Sequence, residues 1–224
     1  PATPYGRAKA RAGQEALARA EGLGVSLVWA RPFFVYGPGE PEGRLGGDLV
    51  RGLRAGREVA CTDGTQRRDY LYADDLGRAL ALLLGSPAEG AVNVGAGQAI
   101  AVRDLIGEVA RQMGRPGLVR LGARPRAPGD PDELRADVAR LTAATGFRPA
   151  FSLQAGVAAL LRAEGGGARS PCVRAGPKGR DGAFCGSLRS ASSIPPSAMA
   201  SMRHLCFWAF RRSRRWRWLS RSVS

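Results

Sequence analysis

The sequence predicts an α/β protein with parallel strands, and two observations lead to this fold class. Short apolar runs bounded by Gly or Pro, at residues 25–30 and 91–94, are typical of buried strands. Segments rich in good helix formers separate such runs; the first, over residues 5–21, consists mainly of Ala, Arg, Leu, Glu, Lys and Gln and ends at Gly22. Strands that alternate with helices favour a sheet whose strands run parallel.

The remaining elements follow in order along the chain. Between the first two strands we expect a Pro- and Gly-rich loop at 31–39, a helix at 48–55, and strands at 58–62 and 68–72 that the Asp63-Gly64 turn separates. Asp74 is expected to cap a helix over 75–84, with Leu76, Leu80, Leu83 and Leu84 on one buried face. Helices over 102–113, 136–144 and 153–163, with a Pro- and Arg-rich loop at 124–131, complete the domain.

The composition divides the chain into a domain at 1–164 and a basic Gly/Ser/Arg-rich tail at 165–224. The formal net charge of +15 is uneven, because residues 1–164 carry a net +4 and the tail carries +11. The tail has no sustained periodicity, so we expect it to be disordered or non-native, apart from a short helix around 202–210. Its origin as a native extension or as a shifted-frame translation stays open.

The tail also supports an alternative function. Arginines at 211–217 are interleaved with Trp208, Trp216 and Trp218, a combination that can bind phosphates and stack on bases. The alternative is therefore a protein that binds nucleic acid or a membrane surface. Because the domain itself is nearly balanced in charge, we expect neither nucleic acid nor a membrane to be the partner.

Several kinds of chemistry are excluded by residue counts. The four cysteines form no C-x-x-C pair, and His204 is the only histidine, so we expect no metal site, no disulfide framework and no histidine-based acid/base catalysis. No apolar run approaches the roughly 20 residues that span a bilayer. We expect a cytoplasmic protein.

Tyr5 and Lys9 are the strongest local signal for catalysis. Residues four apart lie on the same helical face, which brings the Lys9 ammonium near the Tyr5 phenol. A nearby ammonium and the positive ring of an oxidised nicotinamide would both lower the phenol's pKa, which favours proton transfer coupled to hydride transfer. A surface Tyr and Lys with a coincidental spacing is the alternative.

The wider context favours the catalytic interpretation. Pro4-Tyr5-Gly6-x-x-Lys9, Arg31-Pro32-Phe33-x-Val35-Tyr36-Gly37-Pro38-Gly39, Arg68-Asp69-Tyr70-x-Tyr72-x-Asp74-Asp75 and Val92-Asn93-Val94-Gly95 follow one another in order. Together, over residues 1–163, they resemble the nucleotide-sugar epimerase/dehydratase family of the extended short-chain dehydrogenase/reductases. The resemblance implies an incomplete NAD(P)-binding Rossmann-like doubly wound parallel sheet without its N-terminal half, plus a small α/β substrate-binding lobe.

The resemblance also implies a cofactor site for NAD or NADP. Tyr5 and Lys9 match the family's catalytic pair, and Lys9 would also hold the cofactor ribose. Arg31, Pro32 and Phe33 match the strand end that lies against the nicotinamide.

A substrate site is implied in the same way. Arg68 matches an arginine that grips the diphosphate of the nucleotide-sugar. Arg124 or Arg126 is a candidate second phosphate contact, and Asp130 would lie near a ribose. Phe34 stands where the family usually has Asn, so substrate identity stays open.

Each of these positions also has a purely structural interpretation. Arg68 could form a salt bridge with Asp69 or Asp74, Phe34 could pack in the core, and arginines in a Pro-rich loop are commonly solvated. The Gly95-Ala96-Gly97 segment is expected to be a tight turn and not a dinucleotide motif.

For the protein as a whole, the resemblance implies an NAD(P)-dependent epimerase, dehydratase or reductase that is a homodimer when complete. The chain opens with Pro1, and the glycine-rich pyrophosphate motif is absent from it. We therefore expect a C-terminal fragment with little activity alone.

Overall fold

The computed structural model describes residues 3–165 and the backbone of residues 208–212. The helices in these residues are α1 (Pro4–Gly22), α2 (Leu45–Arg54), α3 (Ala73–Gly85), α4 (Val102–Gln112), α5 (Ala139–Thr145) and α6 (Leu153–Gly165), with a short 3₁₀ helix at Pro116–Leu118. The strands are β1 (Ser26–Pro32), β2 (Phe34–Tyr36), β3 (Val59–Ala60), β4 (Arg67–Arg68), β5 (Tyr70–Tyr72), β6 (Gly90–Val94), β7 (Ile100–Ala101), β8 (Val119–Arg120), β9 (Glu133–Leu134) and β10 (Trp208–Arg212). The predicted α/β alternation is confirmed.

The first helix and strand form where the sequence predicts them. Thr3 caps α1 by accepting a hydrogen bond from the Gly6 amide at 3.0 Å, and Pro4 occupies the first turn, where its missing N–H costs nothing. After a short turn, β1 runs back along the helix and pairs in parallel with β6, Val28 opposite Gly90 and Pro32 opposite Val94. The predicted parallel pairing is confirmed.

On its other side, β1 pairs with the short strand from the tail. Strand β10 lies antiparallel to β1, with Ser26 opposite Arg212 and Ala30 opposite Trp208. The predicted helix around residues 202–210 is therefore wrong over 208–210, and its residues 202–207 lie outside the described residues. The edge of β1 explains the difference, because residues 208–212 can form hydrogen bonds with this edge only as a strand.

Two apolar clusters form the core. The first joins β1 and β6 to α3 and α5; its buried members are Val28, Ala30, Leu71, Ala79, Leu83, Val92, Val94, Leu141 and Phe147. The second joins α2, α4 and α6 under the aromatic strands; its buried members are Tyr36, Leu49, Val50, Leu53, Cys61, Tyr72, Val102, Leu105, Ile106, Val109, Ala110, Val157 and Leu160. The first cluster supports β1 and β6, and the second supports the elements beside them, which we call the lobe.

Strand β2 corrects one sequence prediction. Residues 31–39 were expected to be a loop, but β1 continues to Pro32 and β2 pairs in parallel with β5, Phe34 opposite Tyr70 and Tyr36 opposite Tyr72. The physical reason is aromatic packing across the pair, since the Tyr36 and Tyr72 rings meet edge to face with centroids 5.6 Å apart.

A three-stranded sheet in the lobe has β4 at its centre. Arg67 and Arg68 pair antiparallel with β7, through Ala101 and Ile100. On the other side the same two residues pair in parallel with β9, through Glu133 and Leu134. The sheet therefore brings together three segments that are far apart in the sequence.

Helix α3 also departs from its prediction. Tyr72 is the N-cap residue, and Asp74 lies exposed in the first turn instead of capping the helix. The buried neighbour Asp75 is the residue that accepts backbone hydrogen bonds, from Ala150 and Phe151 at 3.0 Å. Leu84, expected on the buried face, is 43% exposed.

Across the described residues, every helix is too short or too polar to serve as a membrane span.

Candidate active site

Tyr5 and Lys9 lie in the first two turns of α1. Both are half-buried, and their spacing of four residues places them on the same side of the helix. Lower down the same helix, Gly13 is buried against the Trp29 indole of β1, so closely that an added Cβ would come within 2.8 Å of the ring. This contact fixes α1 against β1.

The helix and strand geometry places this pair near the carboxyl end of β1. From Gly13 back to Tyr5 the helix rises about 12 Å, and from Trp29 to Pro32 the strand advances about 10 Å. Because α1 and β1 run in opposite directions, Tyr5 and Pro32 reach a similar height. Ligands of doubly wound sheets bind at the carboxyl ends of strands, and this is such an end.

Arg31, Pro32 and Phe33 lie at that strand end. Arg31 is exposed, Pro32 is buried, and Phe33 is half-buried with its amide donating to the Val94 carbonyl at 2.9 Å. The chain then enters β2, so these residues connect the α1–β1 unit directly to the residues of the substrate site.

Phe34, Arg68 and Asp130 are brought into contact by the fold. The Arg68 guanidinium donates to the Asp130 carboxylate at 2.6 Å and to the Arg67 carbonyl at 2.7 Å. Its carbon Cζ lies 5.6 Å from the centre of the Phe34 ring, which is a cation–π contact. The partner of Arg68 is thus Asp130, 62 residues away, and not Asp69 or Asp74 as the structural alternative supposed.

This cluster is largely closed to solvent. The side chain of Arg68 is 3% exposed and that of Asp130 is 18% exposed. Burial raises the pKa of the adjacent Tyr70 far above its ordinary value, although the positive charge of Arg68 acts in the opposite direction. The phenol is therefore neutral.

Arg126 lies on the same loop as Asp130. It donates to the Asp130 carbonyl at 3.1 Å and to the Asp132 carboxylate at 3.0 Å. Arg124 is exposed, and its amide donates to the Cys61 carbonyl at 3.0 Å. The structure therefore groups Arg126, more than Arg124, with the Arg68–Asp130 pair.

The sequence suggested Asp69 only as a possible salt-bridge partner of Arg68, whereas the structure places its carboxylate among distant backbone amides. Asp69 is fully buried, and its carboxylate accepts hydrogen bonds from the amides of Ala96 at 2.6 Å, Gly97 at 2.9 Å and Ala136 at 3.0 Å. The signal available in the sequence was its position directly after Arg68. The predicted tight turn at Gly95-Ala96-Gly97 is confirmed, with Gly97 at a φ of 79°.

Tyr70 also lines a cavity of about 400 Å³. The cavity lies between the Gly95–Gln98 turn and the segment that leads into α6, and Tyr36, Phe147 and Phe151 contribute aromatic walls. The residues predicted from the sequence to bind cofactor or substrate do not line it. The cavity therefore meets this region through Tyr70 and Ala96 and not through the predicted site residues.

Comparisons with known proteins agree with this geometry. The sequence model of the NAD dependent epimerase/dehydratase family matches residues 1–95. A dTDP-4-dehydro-6-deoxy-D-allose reductase from a Streptomyces species is 31% identical over 134 residues, which are 58% of this chain and 40% of that protein.

Solved structures show the same fold. UDP-glucose 4-epimerase from Thermotoga maritima, determined with UDP-glucose, has a TM-score of 0.66 and 27% identity over 74% of this chain and 54% of that one. DesIV, a dTDP-glucose 4,6-dehydratase from Streptomyces venezuelae with NAD bound, has a TM-score of 0.66 and 25% identity over 75% of this chain and 52% of that one. The chain thus spans about half the length of the proteins it matches. Residues 1–95 thus match the NAD dependent epimerase/dehydratase family, and the chain shares a partial Rossmann-like fold with these structures.

Proposed function

We propose that this chain serves an NAD(P)-dependent enzyme that acts on a nucleotide-sugar, of the epimerase, dehydratase or reductase type. Its relatives are named for such reactions, and the two structures cited above contain UDP-glucose and NAD, respectively. The observation that carries the proposal is the contact of Arg68 with Phe34 and Asp130 beside the carboxyl end of β1.

The chemistry of this contact suits a nucleoside diphosphate. Arg68 is a planar, permanently charged fork that can bind two phosphate oxygens at once. Asp130 can accept hydrogen bonds from ribose hydroxyls, and the Phe34 ring supplies an apolar wall. Arg126 offers a second cation on the same loop. Burial strengthens such interactions because water does not screen them.

Tyr5 and Lys9 are proposed to carry out proton transfer. The Tyr5 phenol would exchange a proton with the reacting sugar hydroxyl or carbonyl, and Lys9, on the same side of the helix, would be its neighbour in the site. NAD or NADP would accept or supply the hydride. Residues 31–33 fit the nicotinamide end of such a group, because buried Pro32 and half-buried Phe33 form an apolar surface level with Tyr5.

This chain spans only part of the length of its relatives, and this bears on the activity that we propose for it. It corresponds to 40% of the Streptomyces reductase and 54% of the Thermotoga epimerase. We propose that the 224-residue chain alone binds cofactor poorly and turns over little, and that the complete protein is a homodimer. Analytical ultracentrifugation of the complemented protein described below would test the dimer.

The proton-transfer proposal is tested by complementation. The N-terminal half of the Streptomyces reductase would be joined to this chain, and turnover of a dTDP-4-keto sugar would be followed by NAD(P)H absorbance. We expect turnover with Tyr5 in place and a loss of about 100-fold or more with Tyr5→Phe. Arg19→Ala, at the far end of the same helix, is the control and should retain activity. Equal activity of the Tyr5→Phe protein would rule out Tyr5 as the acid/base.

A further inference from the structure

Asp69 joins three segments of the lobe through one buried carboxylate. It accepts amide hydrogen bonds from Ala96 and Gly97, 27 and 28 residues downstream, and from Ala136, 67 residues downstream. The first two amides belong to the turn before β7, and the third lies two residues after the end of β9. Strands β7 and β9 are the two neighbours of β4 in its sheet.

The backbone of Asp69 adds to these connections. Its amide donates to the Leu134 carbonyl at 3.1 Å, and its carbonyl accepts from the Phe34 amide at 3.2 Å. Arg68, Phe34 and the strand that follows the Asp130 loop are thus each one covalent or hydrogen-bonded step from Asp69. A shift of this residue would be transmitted to all three.

The packing around the carboxylate leaves little freedom. A Cβ added to Gly95 would lie 2.9 Å from Asp69 Oδ2 and 2.6 Å from the Ala136 Cβ. Ala136 is itself 4% exposed. A carboxylate that accepts three N–H groups cannot be replaced by an amide without turning an NH₂ group towards one of those donors.

We propose that Asp69 is a positioning residue, which sets Arg68 and Asp130 at the spacing that a nucleoside diphosphate requires. Asp69 does not itself touch the substrate in this role. The inference rests on the proposed function, because it assigns to Asp69 the geometry of the proposed diphosphate site. The inference predicts that the affinity gained from the phosphates of a nucleoside diphosphate depends on the Asp69 carboxylate, which does not touch them.

Asp75 provides a matched control. It is also fully buried and accepts backbone amide hydrogen bonds from a distant segment, at Ala150 and Phe151, together with a hydrogen bond from the Arg78 guanidinium at 2.9 Å. Those amides lead into α6 and not towards Arg68. Asp69→Asn and Asp75→Asn should therefore lose comparable stability, and only the first should affect the diphosphate site.

The experiment is calorimetric titration of UDP and of uridine into the full chain, at a temperature where circular dichroism shows each variant folded. We expect the ratio of UDP affinity to uridine affinity to fall about tenfold in Asp69→Asn, the equivalent of one charge-assisted hydrogen bond. Asp75→Asn should leave the ratio within about twofold of the unsubstituted chain. A purely structural role for Asp69 would lower both affinities together and leave their ratio unchanged.

A second pair of variants covers the case in which Asp69→Asn does not fold. Gly95→Ala pushes against the same carboxylate without changing it, whereas Gly77→Ala adds a methyl group where no atom lies within 4 Å. We expect Gly95→Ala, and not Gly77→Ala, to lower the ratio. If Arg68→Met abolishes the UDP preference while Asp69→Asn and Gly95→Ala keep it, the positioning role is wrong and the proposed function stands. If the unsubstituted chain shows no preference for UDP over uridine, the proposed diphosphate site itself is wrong, and the inference falls with it.

Discussion

The buried charge of Arg68 is stabilised by its neighbours. Its guanidinium is almost completely removed from water, which is costly for a cation unless its donors are paired. The guanidinium donates hydrogen bonds to Asp130 and to the Arg67 carbonyl and lies over the Phe34 ring, and these contacts offset the cost of burial. Asp130 is the more exposed member of the pair, with 18% of its side chain open to solvent against 3% for Arg68.

Replacing this arginine should destabilise the domain measurably. Arg68→Met keeps much of the side chain's volume but leaves the partly buried Asp130 carboxylate without its partner, so we expect the free energy of unfolding to fall by about 1–3 kcal/mol. Urea denaturation followed by circular dichroism measures this change. In Arg120→Met, which removes an exposed ion pair with Glu58, the loss should stay below about 1 kcal/mol. Equal losses in the two variants would mean that burial does not strengthen the Arg68 pair.

Glu40 provides a pH-dependent prediction at the same scale. Burial raises the pKa of its carboxyl above the ordinary value. The Gly47 amide, which donates a hydrogen bond to the carboxylate at 3.1 Å, acts in the opposite direction but is the smaller effect. A raised pKa in the folded state means that the folded protein holds the proton more tightly than the unfolded chain does. The stabilisation that comes from this tighter proton binding is therefore complete below the ordinary pKa of a glutamate. It is lost as the pH rises through the folded-state pKa of Glu40.

The comparison that isolates this effect is Glu40→Gln. The free energy of unfolding of the unsubstituted chain, minus that of the variant, should decrease as the pH rises from about 4 to about 7. Urea denaturation at a series of pH values gives this difference. A difference that stays constant, or that increases with pH, would contradict the assigned direction of the pKa shift.

At the scale of elements, α6 and β2 are held together by a contact that only glycine permits. A Cβ added to Gly156 of α6 would come within 2.0 Å of the Tyr36 hydroxyl oxygen. Tyr36 is 4% exposed, and burial raises the pKa of its phenol to about 12. Neither the helix nor the strand can retreat without opening the second apolar cluster.

Gly156→Ala should therefore destabilise the protein although alanine is the better helix former. We expect a loss of about 1–3 kcal/mol from overpacking, measured by thermal or urea unfolding. Gly107→Ala, at an exposed position of α4 with no atom within 4 Å, should instead stabilise by about 0.5–1 kcal/mol. Adding Tyr36→Phe to Gly156→Ala removes the clashing oxygen and should recover part of the loss. A double variant no more stable than Gly156→Ala would argue against this clash.

The elements that sequence predicts well are those with a local cause. Helices α1, α4 and α6 have periodic apolar faces or clear end signals, and they appear within a few residues of their predicted bounds. Strand β2 was missed because three residues carry no period, and its pairing with β5 depends on aromatic contacts with residues 36 positions away. Strand β7 likewise pairs with a segment that only the tertiary fold brings close.

In the candidate site, too, local motifs could be recognised in the sequence and long-range contacts could not. Family-like motifs identified Phe34, Arg68, Arg126 and Asp130 individually, and the structure shows that they lie together. What the sequence could not provide was the choice of Asp130 as the partner of Arg68, since nearer carboxylates were available. The bonds of Asp69 to distant amides were equally invisible, because backbone donors have no sequence identity.

At the scale of the whole molecule, both apolar clusters lie within residues 28–160. Of the tail, the structure describes residues 208–212, whose strand β10 covers the edge of β1. A strand between two neighbours loses about half of its ladder hydrogen bonds when one neighbour is removed, but the apolar faces on either side of the sheet remain. The fold of residues 3–165 should therefore survive without the tail.

Deleting residues 166–224 tests this separation. We expect the shortened chain to unfold cooperatively in urea, because both clusters are intact, and to elute from a cation exchanger at lower salt, because most of the net charge of +15 lies in the tail. Amide hydrogen exchange should accelerate at alternate residues of Ser26–Pro32, whose N–H groups faced β10, while Gly90–Val94 and Val102–Gln112 keep their protection. The full-length chain, measured in parallel, is the reference for every amide. Faster exchange throughout β6 and α4 would mean instead that the tail stabilises the whole domain, since loss of an edge partner alone cannot expose amides on the far side of the sheet.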